Sequence, residues 1–138
     1  MTITTPTQEM QEHLAVTLNI AVPAERINDM LCSALEGGSV YWAIRCSVLN
    51  DDYKGQEYAH QVPMAGGTVS VLYYQDEKGH GPHLEMATLD RASIDKGMAV
   101  FQTVANGRHL VDLLNENDDD ETGDVFLQCC LFGEVVYS

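Results

Sequence analysis
Leu14, Val16, Leu18, Ile20 and Val22 fall at alternate positions, the period of a half-buried strand. At Pro23 the period changes. Ile27, Met30, Leu31, Ala34 and Leu35 follow a 3.6-residue spacing, which predicts a helix with Pro23 in its first turn and Gly37 as its stop. Val40 to Leu49 reads as a second strand, ended by Asn50-Asp51-Asp52. Residues 50–67 form a long connection with turn residues at both ends. Thr68–Tyr74 and His83–Leu89 read as a hairpin around the 76–82 turn. Asp90 is placed to cap a helix whose buried stripe is Ile94, Met98, Phe101 and Ala105, with Gly97 as an interior weak point and Asn106-Gly107 as its break. A short helix is expected over His109–Leu114 and another over Asp124–Phe132, closed by Gly133. Glu134–Tyr137 reads as a terminal strand.

This order predicts one α+β domain. Residues 1–11 are polar and read as a flexible N-terminus, and residues 12–138 as the domain. An antiparallel sheet of four to five strands, with three or four helices packed mainly on one face, accommodates all the elements. An exposed strand edge could pair with a second copy, so a homodimer is an expected partner state.

The segment Ala34-Leu35-Glu36-Gly37-Gly38-Ser39-Val40-Tyr41-Trp42 stands out, because a helical pattern runs into a glycine pair and then into the only tryptophan. Glu36–Trp42 resembles the EGGSNYW element of small acidic proteins encoded by phages and prophages. Tyr53-Lys54-Gly55, Ala65-Gly66-Gly67, Asp124-Val125-Phe126-Leu127-Gln128 and Leu131–Tyr137 fit the same pattern in the same order. Together they span most of residues 30–138. The chain departs from it at Val40, where the element has Asn. The resemblance implies a phage origin and the cytoplasm of the host cell.

Composition narrows the partners. Of 138 residues, 21 are acidic and 7 basic, for a formal net charge of −14. Binding to a phosphate backbone needs Lys and Arg to displace counterions, so direct nucleic-acid binding is not expected. An anionic membrane surface is disfavoured for the same reason. A basic protein partner is compatible, and so is the plainer reading that charge keeps a small protein soluble. Residues 1–10 lack the basic and apolar regions of a signal peptide, and no apolar run reaches membrane-spanning length. Cys32, Cys46, Cys129 and Cys130 have no CxxC spacing, and three of them sit in apolar surroundings and read as reduced, packed thiols.

Two segments carry candidate ligand-binding residues. Gly37, Gly38 and Ser39 offer backbone N–H groups and a hydroxyl to a phosphate or ribose, and Tyr41 or Trp42 can stack on a base. The alternative is a helix stop followed by a strand whose aromatics anchor the core. In a strand Tyr41 and Trp42 would point to opposite faces, so one could pack while the other binds. Arg45 would share a face with Tyr41 in a regular strand. The 50–67 connection adds Tyr53, Lys54, Tyr58 and His60, either as part of a site or as a solvated loop.

The acidic run Asp118, Asp119, Asp120 and Glu121 could imitate a phosphate row for a basic partner, or lead into the next helix as a solvated loop. It lacks the ligand spacing and central Gly of an EF-hand. His80 and His83 flank a Gly-Pro turn without CxxC or HExxH, so no metal site is predicted. No cofactor fingerprint and no catalytic acid–base or nucleophile arrangement is found. The sequence therefore predicts a non-enzymatic phage protein that counters host defence by sequestering a nucleotide-type small signal. The alternative is an acidic nucleic-acid mimic that binds a host defence protein.

Overall fold
In the computed structural model, the described residues are Leu14, 19–75 and 83–138. Most of the first expected strand, the 76–82 turn and His80 lie outside them; residues 19–22 lie inside and are not a strand. The fold is α+β. Helix α1 spans Ala24–Ser33 and continues as a π-helical turn over Ala34–Gly38. Strand β1 is Ala43–Val48, β2 Val69–Tyr74 and β3 Leu84–Leu89. Helices α2 (Arg91–Phe101), α3 (Arg108–Leu114) and α4 (Asp120–Phe132) complete it.

Among the described residues the sheet has three strands in the order β1-β2-β3, both pairs antiparallel, rather than four or five. Register places Val48, Val69 and Leu89 side by side, with Cys46, Val71 and Ala87 the next row on the same face. Val48, Val69, Val71 and Leu89 share one core with Ile27, Leu31, Ile94 and Phe126. The other rows, Ser47-Ser70-Thr88 and Arg45-Leu72-Met86, form the opposite face.

The expected terminal strand Glu134–Tyr137 is not one. Instead Gln128 of α4 holds the chain end as a strand would. Its Oε1 accepts from the amides of Val136 and Tyr137, both at 2.7 Å, and its Nε2 donates to the Tyr137 carbonyl at 3.1 Å. A fully buried amide thus satisfies backbone groups that a ladder would otherwise pair.

Helix α4 starts four residues earlier than its apolar run suggests. Asp119 is its N-cap: the carboxylate accepts from the Thr122 amide at 3.0 Å, and the Thr122 hydroxyl accepts from the Asp119 amide at 3.2 Å. The Thr122 amide holds the Asp119 carboxyl below its ordinary pKa. Asp90 caps α2 in the same way through Ser93, as the sequence predicts, although α2 stops at Phe101 rather than reaching Ala105. Pro23 sits one position outside the first turn, as the N-cap of α1.

Thr122 to Cys130 are all buried, because α4 runs between α1 and α2. Glycines set both crossings. A Cβ on Gly123 would stand 2.6 Å from the Met30 carbonyl oxygen and 3.1 Å from the Ala34 nitrogen. One on Gly97, the weak point of α2, would stand 2.6 Å from the Cys130 Cα. The helix-propensity cost of Gly97 is the condition for close packing. Backbone cannot give way as a side chain can, so Gly123→Ala should destabilise by about 1–3 kcal/mol or more. Urea unfolding monitored by circular dichroism measures this, and an unchanged midpoint would show that α1 and α4 do not approach this closely.

Candidate functional site
The Gly-Gly-Ser-Val-Tyr-Trp segment is folded around one carboxylate. A Cβ on Gly38 would collide with the Asp120 carbonyl, and one on Gly37 would stand 3.0 Å from the Asp120 carboxylate. The glycine pair therefore lets the end of the π turn lie against the first turn of α4. Ser39 to Trp42 then form a turn, with the amides of Trp42 and Ala43 donating to the Ser39 carbonyl at 3.1 and 2.8 Å. This corrects the expectation of a strand from Val40: β1 begins at Ala43.

The turn brings three side chains to Asp124, one helical turn into α4. Its Oδ1 accepts from the Ser39 hydroxyl and the Trp42 indole N–H, both at 2.7 Å, and from Gln128 Nε2 at 3.2 Å. Its Oδ2 accepts from the Tyr41 hydroxyl at 2.6 Å. A strand would have aimed Tyr41 and Trp42 apart; the turn aims both at one acceptor. Burial, then the hydrogen bond to Asp124 and its charge, push the Tyr41 phenol well above its ordinary pKa. Tyr41 therefore remains a donor across the physiological range.

Trp42 is fully buried. Tyr137 stacks on it with ring centroids 5.1 Å apart and planes 3° apart, and Phe132 tilts against it at 5.4 Å. The Tyr137 hydroxyl donates to the Tyr74 carbonyl, which ties the chain end to β2.

Beside this hub lies a cavity of about 470 Å³. Tyr41, Asp124 and Tyr137 form the wall shared with the hub; Val104, Val125 and Val135 supply apolar surface; His109, Glu121 and Ser138 add polar groups. His109 is 4% exposed, and its Nδ1 is buried without a hydrogen-bond partner among the described residues. Its ring leans on Phe101 at 6.1 Å. An unpaired buried ring nitrogen costs stability unless something meets it. Arg108 links the cavity wall to solvent: its guanidinium lies 3.3 Å from the Glu121 carboxylate and 3.5 Å from His109 Nε2.

Of the ten candidate ligand-binding residues, Tyr41 alone lines this cavity; Glu121 of the acidic run lines it as well. Gly37, Gly38, Ser39 and Trp42 build the hub behind it. Arg45 is exposed on the sheet face opposite the core, and a bulge at the start of β1 removes the regular register that would have aligned it with Tyr41. Lys54 pairs with Asp52 at 3.0 Å. Tyr53 is exposed, and Tyr58 stacks on His60 at 5.6 Å in the same connection. The ten residues thus separate into a hub of five, an outlying loop of four, and Arg45 alone on the outer sheet face.

The acidic run is engaged within the fold. Asp118 pairs with Arg26, Asp119 caps α4, Asp120 abuts the glycine pair and Glu121 pairs with Arg108. His109, Asp124, Gln128 and Tyr137 are site residues that the sequence pattern does not single out as such. The sequence signals for Asp124 are its place at the head of an otherwise apolar run and in the Asp124–Gln128 piece of the resemblance, and His109 has none. Among the described residues no helix is long and apolar enough to cross a membrane. Compared with protein-family models, with curated proteins and with solved structures, the chain matches none.

Proposed function
We propose that the protein binds a nucleotide-type small molecule in the cavity between α4, α3 and the chain end, and acts by sequestering it without chemistry. The observation that supports this reading most is the mainly apolar cavity lined by Tyr41, Tyr137 and His109, with Asp124, Glu121 and Ser138 as its polar groups. Ligand sites combine apolar walls with a few placed polar groups in this way. A flat heterocycle would pack between the valines and the two tyrosines, with His109 as part of the wall.

Glu121 and Asp124 oppose a phosphate inside the cavity, so the phosphate points outward to Arg108, which exchanges its Glu121 partner for it. The resemblance to phage proteins supplies the setting: a cytoplasmic host signal removed from circulation. A basic protein partner at Asp118, Asp119, Asp120 and Glu121 has less support, because each of these residues already serves the fold.

Calorimetric titration with a panel of nucleosides, linear and cyclic nucleotides and ADP-ribose derivatives tests the reading. One member should bind and be recovered chemically intact on heating. His109→Ala, which removes the ring from the cavity wall, should weaken binding about tenfold through the lost packing surface. Silence across the panel would overturn the proposal, and recovery of a cleaved product would identify an enzyme instead.

A further inference from the structure
We propose that Cys32, Glu36 and His60 form a binding site for a divalent cation of the zinc class. Cys32 and Glu36 are one turn apart on the helix that opens the chain's described core, so their side chains share a face. The Cys32 thiol lies 3.4 Å from Glu36 Oε2. His60 comes from a different segment, a 3₁₀ turn over Ala59–Gln61 in the 50–67 connection. One ligand atom from each of the three lies within 4.8 Å of the others.

The turn that carries His60 is held in place. The Tyr58 amide donates to Gln61 Oε1 at 3.0 Å, and the Gln61 amide to the Tyr58 carbonyl at 3.1 Å. The Tyr58 ring lies nearly parallel to the imidazole, 7° apart in plane, and restrains its orientation. An imidazole restrained by its neighbours loses less freedom on ligation. Glu36 is exposed while Cys32 and His60 are half-buried, so an ion can enter from solvent and end on partly desolvated ligands.

The ligand types choose the ion. Thiolate and imidazole favour zinc over magnesium or calcium, which take oxygen. Bonds of about 2.0–2.3 Å in a tetrahedron put ligand atoms roughly 3.4–3.8 Å apart, so side-chain rotations of about 1 Å close the present spacing. Three protein ligands leave the fourth position to water. Binding exchanges the thiol proton for the metal: the S–H bond breaks, an S–metal bond forms, and one proton leaves to solvent past the Glu36 carboxylate. Proton and metal compete for the Cys32 sulfur, so affinity falls as pH falls. The ion would pin the 50–67 connection to α1.

The untagged full chain, stripped with EDTA, is titrated with Zn²⁺ by calorimetry and with Co²⁺ by absorption. One ion per chain should bind. Co²⁺ should give a sulfur-to-cobalt charge-transfer band, and Zn²⁺ should raise Tm. Cys32→Ser and His60→Gln should each weaken Zn²⁺ binding by roughly a hundredfold, at or beyond the loss seen for outer-shell changes, with the metal-free Tm unchanged. His83→Gln should leave affinity intact. Glu36→Gln, at an exposed position, gives the same readout if either of the first two variants folds poorly. Equal affinity in wild type and the cluster variants, or a cobalt complex without the sulfur band, overturns the proposal.

Discussion

Asp124→Ala should lower the stability of the protein by about 3–5 kcal/mol, because it removes the shared acceptor of several buried hydrogen bonds. The substitution leaves the Ser39 hydroxyl, the Trp42 indole N–H and the Gln128 amide without their acceptor. Each orphaned buried donor costs about 1–3 kcal/mol, although relaxation and water prevent the costs from adding fully. Domains of this size are stable by about 5–15 kcal/mol, so the loss is a large share of the total. Gln128 would also lose the contact that steadies it while it holds Val136 and Tyr137.

Asp124→Asn separates charge from geometry. Its amide oxygen can still accept from Ser39, Trp42 and Gln128, and its NH₂ can donate to the Tyr41 oxygen, so it should cost much less than the alanine. Urea unfolding of the two variants measures the difference. Equal losses would show that shape rather than hydrogen bonding fixes this position, and an alanine variant within about 1 kcal/mol of wild type would remove Asp124 as the hub.

The contrast between what the sequence told and what it hid follows from the range of the interactions. The hairpin β2–β3, the Asp90 cap and the Gly133 stop are local: each depends on a few neighbouring residues, and each is where the pattern put it. The α4 start was hidden because Asp119 and Thr122 make a capping box inside a run of acids that also fits a solvated loop. The terminal segment alternates like a strand, but its partner is a glutamine side chain, which no periodicity records.

The same logic applies to the site. The glycine pair and the aromatics after it were visible as a feature, and their purpose was not. Gly38 is required by the Asp120 carbonyl, and Ser39, Tyr41 and Trp42 are required by Asp124, all more than eighty residues away in the chain. His109 and the cavity it lines arise only from tertiary packing. Cys32, Glu36 and His60 likewise meet only because a distant turn folds back on α1. Long-range contacts of this kind leave residue types in the sequence but not their pairing.

Trp42→Ala should cost about 3–5 kcal/mol, the range for truncating a fully buried large aromatic, and lower Tm by on the order of 10 °C. Two losses combine. The indole fills the space between Tyr73, Phe132 and Tyr137, and its N–H satisfies Asp124. Trp42→Phe divides them, since it keeps a ring beside Tyr137 and removes the N–H. It should fall between wild type and alanine. The effect should also travel. Tyr137 rests on Trp42 by ring stacking and on Tyr74 by its hydroxyl, and it forms a wall of the cavity. Without the indole, the amides of Val136 and Tyr137 should exchange with solvent faster while the β2–β3 amides keep their protection, because the sheet ladder does not depend on this ring. Affinity for the proposed ligand should drop through the loosened wall rather than through a lost contact, since Trp42 does not line the cavity. An alanine variant that melts like wild type and yet loses its ligand would reverse this assignment, placing the ring in an open site instead of the core.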